Sequence, residues 1–280
     1  MSELAAALLA ATGRRPGAGH AHPAGAATRI DSDGGPVFCK RLPSSQEAVL
    51  AAEADGLLAL QACDALRVPE VLGLHCDERH AWLFTEWIDL RAPAGDDHAR
   101  VGEAVAALHS LHGPRLGWPR DNFIGPTPQS NDEDDNWPRF FRERRLRPQL
   151  ELAARSGLAA DLMSLGDALL SRVAAIAGAT PVAPSLLHGD LWSGNRAVDP
   201  SGRPVLFDPA VHYGHGVCDL AMARLFGGFE PAFYRAWEQV HGPVDEDQVA
   251  LYQLYHVLNH LNIFGPSYLA QALRLARRLV

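Results

Sequence analysis

The sequence predicts an α+β fold in two lobes: a small β-rich N-terminal lobe carrying one long helix, and a larger, mainly helical C-terminal lobe. Three observations predict it. Short alternating apolar runs separated by turn residues mark strands before residue 90. Helical periodicity dominates after residue 96. Between them, Arg91-Ala-Pro-Ala-Gly95 breaks both patterns. The expected division is 1–90 for the first lobe, 91–95 for a hinge and 96–280 for the second lobe. A chain of 280 residues buries roughly 75% of its unfolded surface, so core size sets no limit.

Each element has a local reason. Residues 2–12 read as a short helix with Ser2 as N-cap and Gly13 at its stop. Residues 13–27, rich in Gly, Ala and His, form a loop. Strands at 28–31 and 36–40 flank the Asp33-Gly34-Gly35 turn as a hairpin. Ser44-x-x-Glu47 has capping-box spacing and opens a helix expected to run to about residue 62. Strands at 71–75 and 81–88 pair about a turn at 76–80. Beyond the hinge, helices are expected near 97–112, 138–156, 159–177, 219–226, 231–241 and 246–264, with a last one to 279. Residues 181–208 read as loops and short strands with a turn at 199–202, and Asn131-Asp-Glu-Asp-Asp135 reads as a solvated loop. No internal repeat is visible.

The composition, 47% hydrophobic and 21% charged, is that of an ordinary globular protein. With 33 acidic and 25 basic residues the net charge is −8, which argues against nucleic acid or an anionic membrane as principal partner. The apolar run at 4–11 is far short of the ~20 residues a bilayer needs. Glu3 stands where a secretory signal carries positive charge, so no targeting or membrane segment is expected. Cys39, Cys63, Cys76 and Cys218 show no CxxC spacing and read as free thiols of a reducing, cytoplasmic setting. Of the 25 basic residues only Lys40 is a lysine. A lysine kept in so arginine-biased a chain marks a site where a planar guanidinium cannot replace a compact ammonium.

The strongest motif is Leu187-His188-Gly189-Asp190-Leu191-Trp192-Ser193-Gly194-Asn195, with Asp208 thirteen residues further on. Asp190-x-x-x-x-Asn195 has the spacing of a kinase catalytic loop, in which the Asp orients and deprotonates the acceptor hydroxyl and the Asn holds Mg²⁺. Val205-Leu206-Phe207-Asp208 is an apolar strand ending in a carboxylate, the place of a second metal ligand. One carboxylate, one amide and ATP phosphates make a sensible oxygen shell for magnesium. Plain turns also contain Asp, Asn and Gly; the order Lys40, Asp190, Asn195, Asp208 is what carries the reading. Lys40 closes a strand after a glycine-containing loop, where kinases place the lysine that grips the α- and β-phosphates. Its carboxylate partner on the next helix is Glu47 or Glu53, which lie about 120° apart on the helix. Glu47 is accounted for by the capping box. Glu53 shares the apolar stripe of Val49, Leu50 and Leu57 and is therefore the expected partner. Gly17, Gly19 and Gly25 would allow backbone approach to phosphate, although they form no regular GxGxxG and also suit an ordinary loop. The whole layout is protein kinase-like.

At these residues the chain resembles a known family. The segments His188–Asn195, Phe207-Asp-Pro-Ala210, Tyr213-Gly-His215, Asp219-Leu-Ala-Met222, Phe226-Gly-Gly-Phe229 and Trp137-Pro-Arg-Phe-Phe141 are similar to those of the fructosamine 3-kinase (ketosamine 3-kinase) family. That family lies within the aminoglycoside and choline phosphotransferase superfamily of protein kinase-like fold. The resemblance runs from about residue 13 to the C-terminus. It implies ATP-dependent phosphorylation of the 3-hydroxyl of a ketosamine, the Amadori adduct of a sugar and an amine, as a deglycation step, with ATP and Mg²⁺ as cofactors. It implies Asp190 as catalytic base, Asn195 and Asp208 as metal ligands, and Lys40 with Glu53 as phosphate anchor. It also implies the backbone of Glu86, Trp87 and Ile88 at adenine, Gly19 in the phosphate loop, and Trp192 and His215 toward the substrate. Trp192 serves equally as a packing anchor of the loop, and Asp219 reads as a brace of that loop. His212 and His215 form an HxxH without the further ligands zinc needs. The expected partner is a free or protein-bound ketosamine, with no nucleic acid, membrane or partner protein implied. Another small cationic hydroxyl compound, aminoglycoside- or choline-like, is the alternative acceptor. A catalytically dead nucleotide-binding protein is the further alternative, and the presence of all four chemical residues speaks against it. The loop at 17–25 lacks the cysteine of some relatives, so no disulfide-linked dimer is expected.

Overall fold

The computed structural model describes residues 2–17, 22–24, 27–157, 160–178 and 182–280. The first lobe is one antiparallel sheet with two helices. Helix α1 (Glu3–Thr12) starts at Ser2, whose Oγ accepts the Ala5 N–H at 3.3 Å. Strands β1 (His22–Ala24), β2 (Ala27–Ile30), β3 (Val37–Pro43), β4 (Val71–Cys76) and β5 (His80–Glu86) are ordered β1-β2-β3-β5-β4. Alternation along β3 sends Val37 and Cys39 into a small core with Leu8, Trp82 and Phe84, and turns Lys40 to the opposite face. Burial pushes the Cys39 thiol up to about 12, which leaves it unreactive.

Helix α2 (Glu47–Leu60) follows a 3₁₀ turn (Ser44–Gln46). The expected capping box is not formed. The turn makes Glu47 the first helical residue, and Ser44 Oγ instead donates to the Glu78 carbonyl at 3.1 Å. Leu50, Ala54, Leu57 and Leu60 form the buried stripe of α2, each leucine contributing about 1.5–3 kcal/mol. Leu57 and Leu60 belong to the large core of the second lobe, so the one long helix of the first lobe is rooted in its neighbour.

After β5 the chain crosses 91–95, with Gly95 turning it in the left-handed region (φ 55°), and Arg91 and Val198 exchange backbone hydrogen bonds of 3.0 Å in both directions. The second lobe begins with α3 (Asp97–His109). A hairpin outside the expected elements follows, β6 (Asn122–Ile124) with β7 (Thr127–Gln129). Then α4 (Trp137–Phe141) passes through a π-turn (Arg142–Leu146) into α5 (Arg147–Arg155), and α6 (Ala160–Ala177) lies beyond. Strand β8 (Ser185–Leu187) leads to the motif loop, β9 (Arg196–Val198) pairs with β10 (Pro204–Leu206), and β11 (His212–Gly214) returns to β8. Helices α7 (Val217–Leu225), α8 (Pro231–His241), α9 (Glu246–Phe264) and α10 (Leu269–Leu279) complete the lobe. The segment at 131–135 exposes Asp132, Glu133 and Asp135, as a solvated loop does, but it is tied down by ion pairs. Asn131 is buried, Asp134 pairs with Arg139 at 2.5 Å, and Asp132 and Asp135 pair with Arg144 and Arg115. Among the described residues no helix is long and apolar enough to cross a membrane, and all four cysteines are free.

Candidate active site

The loop from His188 to Asn195 owes its shape to a carboxylate behind it. Asp219, in the first turn of α7 and buried, accepts the His188 N–H at 2.7 Å and the Gly189 N–H at 2.9 Å. It also accepts His109 Nε2–H at 3.0 Å, while His109 Nδ1 accepts Trp237 Nε1–H at 2.8 Å, which fixes a neutral imidazole. Burial alone would raise the Asp219 carboxyl, but the His109 hydrogen bond and the Gly189 N–H hold it below its ordinary range. Gly189 has φ 83°, and a Cβ there would collide with the Ala210 carbonyl, so only glycine lets the loop pass. The result is a loop pinned from behind with its next side chain, Asp190, facing forward.

Asp190 is half-buried in a cleft of about 780 Å³ between the lobes. Burial raises its carboxyl to about 7; the Asn195 amide opposes the shift, and Asp208 and Asp219 add to it. Asn195 Nδ2 donates to the Asp190 carbonyl at 2.9 Å, to Asp190 Oδ2 at 3.2 Å and to the Asp208 carbonyl at 3.4 Å. Asp208 follows β10 with φ 57°, the left-handed region that Asp tolerates better than most residues. Lys40 Nζ lies 2.7 Å from Glu53 Oε1 and 2.5 Å from Asp208 Oδ1. Burial would lower the Lys40 ammonium, yet the two carboxylates hold it above its ordinary value. Burial pushes Glu53 up against the pull of Lys40. Gly56, one turn past Glu53, makes the approach possible, because a Cβ there would lie 2.8 Å from the Pro209 ring next to Asp208.

The structure therefore brings Lys40, Glu53, Asp190, Trp192, Asn195 and Asp208 to one cleft. Other expected site residues lie elsewhere. His215 lines a separate cavity with His109, His112 and Trp237, and its Nδ1 accepts the Tyr252 hydroxyl at 2.9 Å, which in turn accepts Trp137 Nε1–H. Burial pushes His215 down to about 4, and Trp137 with Phe140 and Phe141 is core. Glu86, Trp87 and Ile88 do not line the cavity. The Glu86 carboxylate pairs with Arg67 at 2.5 Å, its N–H donates to the Glu70 carbonyl at 2.8 Å, and the Trp87 N–H donates to the Pro36 carbonyl at 3.4 Å. Gly19 lies outside the described residues, as does Gly25. His212 is buried against Phe140 and lines none of these cavities.

Sequence reasoning missed Phe38, Phe123, Gly125 and Pro126 as walls of the cleft. The Gly125-Pro126 turn between Ile124 and Thr127 was a usable hairpin signal. Nothing local marked Asp219 as paired with His109, 110 residues away.

An ammonium, carboxylates and an amide arranged in this way can hold a polyphosphate with a divalent ion and orient a hydroxyl. The family model for fructosamine kinase matches residues 12–280. A probable ketoamine kinase of Synechocystis sp. is 40% identical over 244 residues, spanning 86% of this chain and 82% of that one. The chloroplastic protein-ribulosamine 3-kinase of Arabidopsis thaliana is 34% identical over 252 residues, covering 88% and 77%. A solved structure assigned as a fructosamine-3-kinase of Thermobifida fusca superimposes with a TM-score of 0.87 at 32% identity, over 98% of this chain and 97% of that one.

Proposed function

Because the chain belongs to the fructosamine kinase family, an ATP-dependent phosphotransferase family of protein kinase-like fold, we propose that it transfers the γ-phosphoryl group of ATP to the 3-hydroxyl of a ketosamine. The relatives named for ketoamines and ribulosamine support that acceptor over an aminoglycoside or choline. The observation that carries the site assignment is the convergence of Lys40, Glu53, Asp190, Asn195 and Asp208 on one cleft, with the loop held from behind by Asp219.

In this reading Asp190 accepts the proton of the sugar hydroxyl as it attacks, and Asn195 keeps the carboxylate in place through its 3.2 Å hydrogen bond. Lys40, charged and anchored by Glu53, holds the α- and β-phosphates. Trp192 offers an indole face to the sugar. The donor set fits magnesium. Asp208 supplies a carboxylate, and Asn195 spends its NH₂ on Asp190 and Asp208, which leaves its side-chain oxygen as a hard donor beside it. Asn195 and Asp208 would hold Mg²⁺, which shields phosphate charge when bound. Most of the acceleration is positioning and electrostatics. Free thiols and the lack of a spanning helix among the described residues support a cytoplasmic enzyme acting on free or protein-bound adducts.

The test is ATP consumption on ribulosamine, erythrulosamine and fructosamine adducts, with and without Mg²⁺, and mass spectrometry of the product. A 3-phosphorylated ketosamine formed only with Mg²⁺ is expected. Turnover of aminoglycosides or choline with no turnover of any ketosamine would overturn the acceptor assignment.

A further inference from the structure

The cavity lined by His215 and Trp237 holds about 510 Å³, within the range of about 300–1,000 Å³ of small-molecule sites. It shares no lining residue with the cleft of Asp190. Two buried polar side chains open on it with hydrogen-bonding atoms to spare. Ser185 is 7% exposed, and its hydroxyl has no hydrogen-bond partner among the described residues. Gln248 is 2% exposed; its Nε2 donates to the Ile176 carbonyl at 3.2 Å, while its Oε1 has no partner among the described residues. Neither open atom is sealed away from solvent. Buried polar atoms are satisfied almost everywhere in folded proteins, so two open ones on a single cavity point to a hydrogen-bonding occupant.

The neighbouring groups define its chemistry. His215 Nδ1 accepts the Tyr252 hydroxyl, so Nε2–H is a donor; His241 Nε2 donates to the Ala106 carbonyl at 2.9 Å, so Nδ1 is an acceptor. Trp237 and His241 stack with centroids 4.6 Å apart, a flat wall suited to the CH face of a sugar. Helices α3 and α8 end on the cavity while α7 and α9 begin on it, so the partial charges of their termini offset each other. Among the described lining residues there is no Lys or Arg, and the one carboxylate, Asp245, is taken up in capping α9. Such walls favour a neutral molecule with several hydroxyls over an ion.

We propose that this cavity is a second ligand site, for a small neutral polyhydroxyl compound such as a free sugar or cyclitol. Ser185 and Gln248 bond its hydroxyls, and the Trp237–His241 stack covers its apolar face. The site lies behind the loop of Asp190, because His109 and Trp237, which line it, are the two rings that hold Asp219. An occupant rests against that brace and leaves the cleft open. The proposal does not depend on the kinase reading, and its test measures binding alone.

Saturation-transfer NMR and isothermal titration of the full chain with D-glucose and with myo-inositol, free of nucleotide, test it. At least one of the two is expected to bind with a Kd on the order of 1 mM. As competitors for that site, glucose 6-phosphate and glucosamine should be at least tenfold weaker than the bound compound itself. Ser185→Ala and Gln248→Leu should each weaken binding by about 3–10-fold. Val240→Trp, at a lining position 60% exposed and therefore outside the core, should weaken it at least tenfold. Trp192→Ala, in the cleft, should leave it unchanged, and thermal unfolding of each variant separates folding from binding. Binding of neither compound at about a hundred times that Kd, or competition by either ion equal to the bound compound, would overturn the site. Binding lost in Trp192→Ala but kept in Ser185→Ala and Val240→Trp would overturn it as well, by placing the ligand in the cleft.

Discussion

Asp219 and Asp190 stand on opposite sides of the same loop, and their surroundings are opposite as well. Asp219 is buried, and its two oxygens are taken by two backbone N–H groups and a neutral imidazole, which is itself held by an indole. Asp190 is half-buried, its carboxylate accepts one side-chain hydrogen bond at 3.2 Å, and Asp208 stands nearby to repel its charge. The first arrangement is satisfied and stabilises the fold; the second is under-satisfied and costs stability until a ligand arrives. An aspartate behind the loop on α7 and one within it thus differ by environment, and in the reading proposed above the first is structural and the second chemical.

Removing the satisfied partner should have the largest effect on the fold. Asp219→Ala leaves the His188 and Gly189 N–H groups and His109 without an acceptor in a dry site. A loss of about 3–5 kcal/mol in denaturant unfolding is expected. A loss below about 1 kcal/mol would mean that the brace is replaceable.

The same side of the molecule should be the first to fail in acid. Burial holds His212 at about 3, His215 at about 4 and His256 at about 3, so all three stay neutral in the folded state. In the unfolded chain they take up protons below about 6.5. Their contribution is therefore complete above pH 6.5 and is lost as the pH falls toward 4, by about 1.4 kcal/mol per pH unit for each. Unfolding free energies at pH 7.5 and 5.5 measure it, and a flat profile would contradict the buried neutral imidazoles.

On the cleft side, function should move without the fold. Lys40→Arg keeps the charge but cannot place one ammonium between Glu53, Asp208 and phosphates. Transfer at least tenfold slower, about 1.4 kcal/mol in the transition state, is expected with thermal stability near the parent. Since Lys40 is the one lysine, amine labelling beyond the N-terminus should fall on it and be slowed by Mg·ATP. Full activity together with labelling indifferent to ATP would return Lys40 to an ordinary surface residue.

The chemical side of this contrast was legible in the sequence, and the structural side only in part. Lys40, Asp190, Asn195 and Asp208 were grouped by residue type and order, and the structure brings them to one cleft. Glu53 followed from helical phase, and it stands although the capping box used to set Glu47 aside is not formed. The β6–β7 hairpin escaped because its strands are three residues long and carry Asn122, Thr127 and Gln129 inward. Those polar groups are held by contacts distant in sequence, such as Tyr255 donating to Gln129 at 2.6 Å. His215 lies away from the cleft for a related reason: its motif neighbours do not reveal that Tyr252, 37 residues later, donates to it beside a separate cavity. An aromatic pocket beside Trp192 was equally hidden, since α7 and the segment running from α9 into the 3₁₀ turn at Pro266–Tyr268 meet only in space.

Asp190→Asn puts the central contrast to its most direct test, measured for stability and turnover on the same preparation. Burial raises the Asp190 carboxyl to about 7, above its unfolded value of about 3.9. Its ionisation therefore weakens the fold progressively as the pH rises through that window. At pH 8, free of metal and nucleotide, Asp190→Asn should be as stable as the parent or about 1–2 kcal/mol more stable. Its phosphoryl transfer to a ketosamine should fall about 10²–10⁴-fold. A variant that loses stability while keeping near-parental turnover would contradict the account, and would make Asp190 a second brace rather than the base.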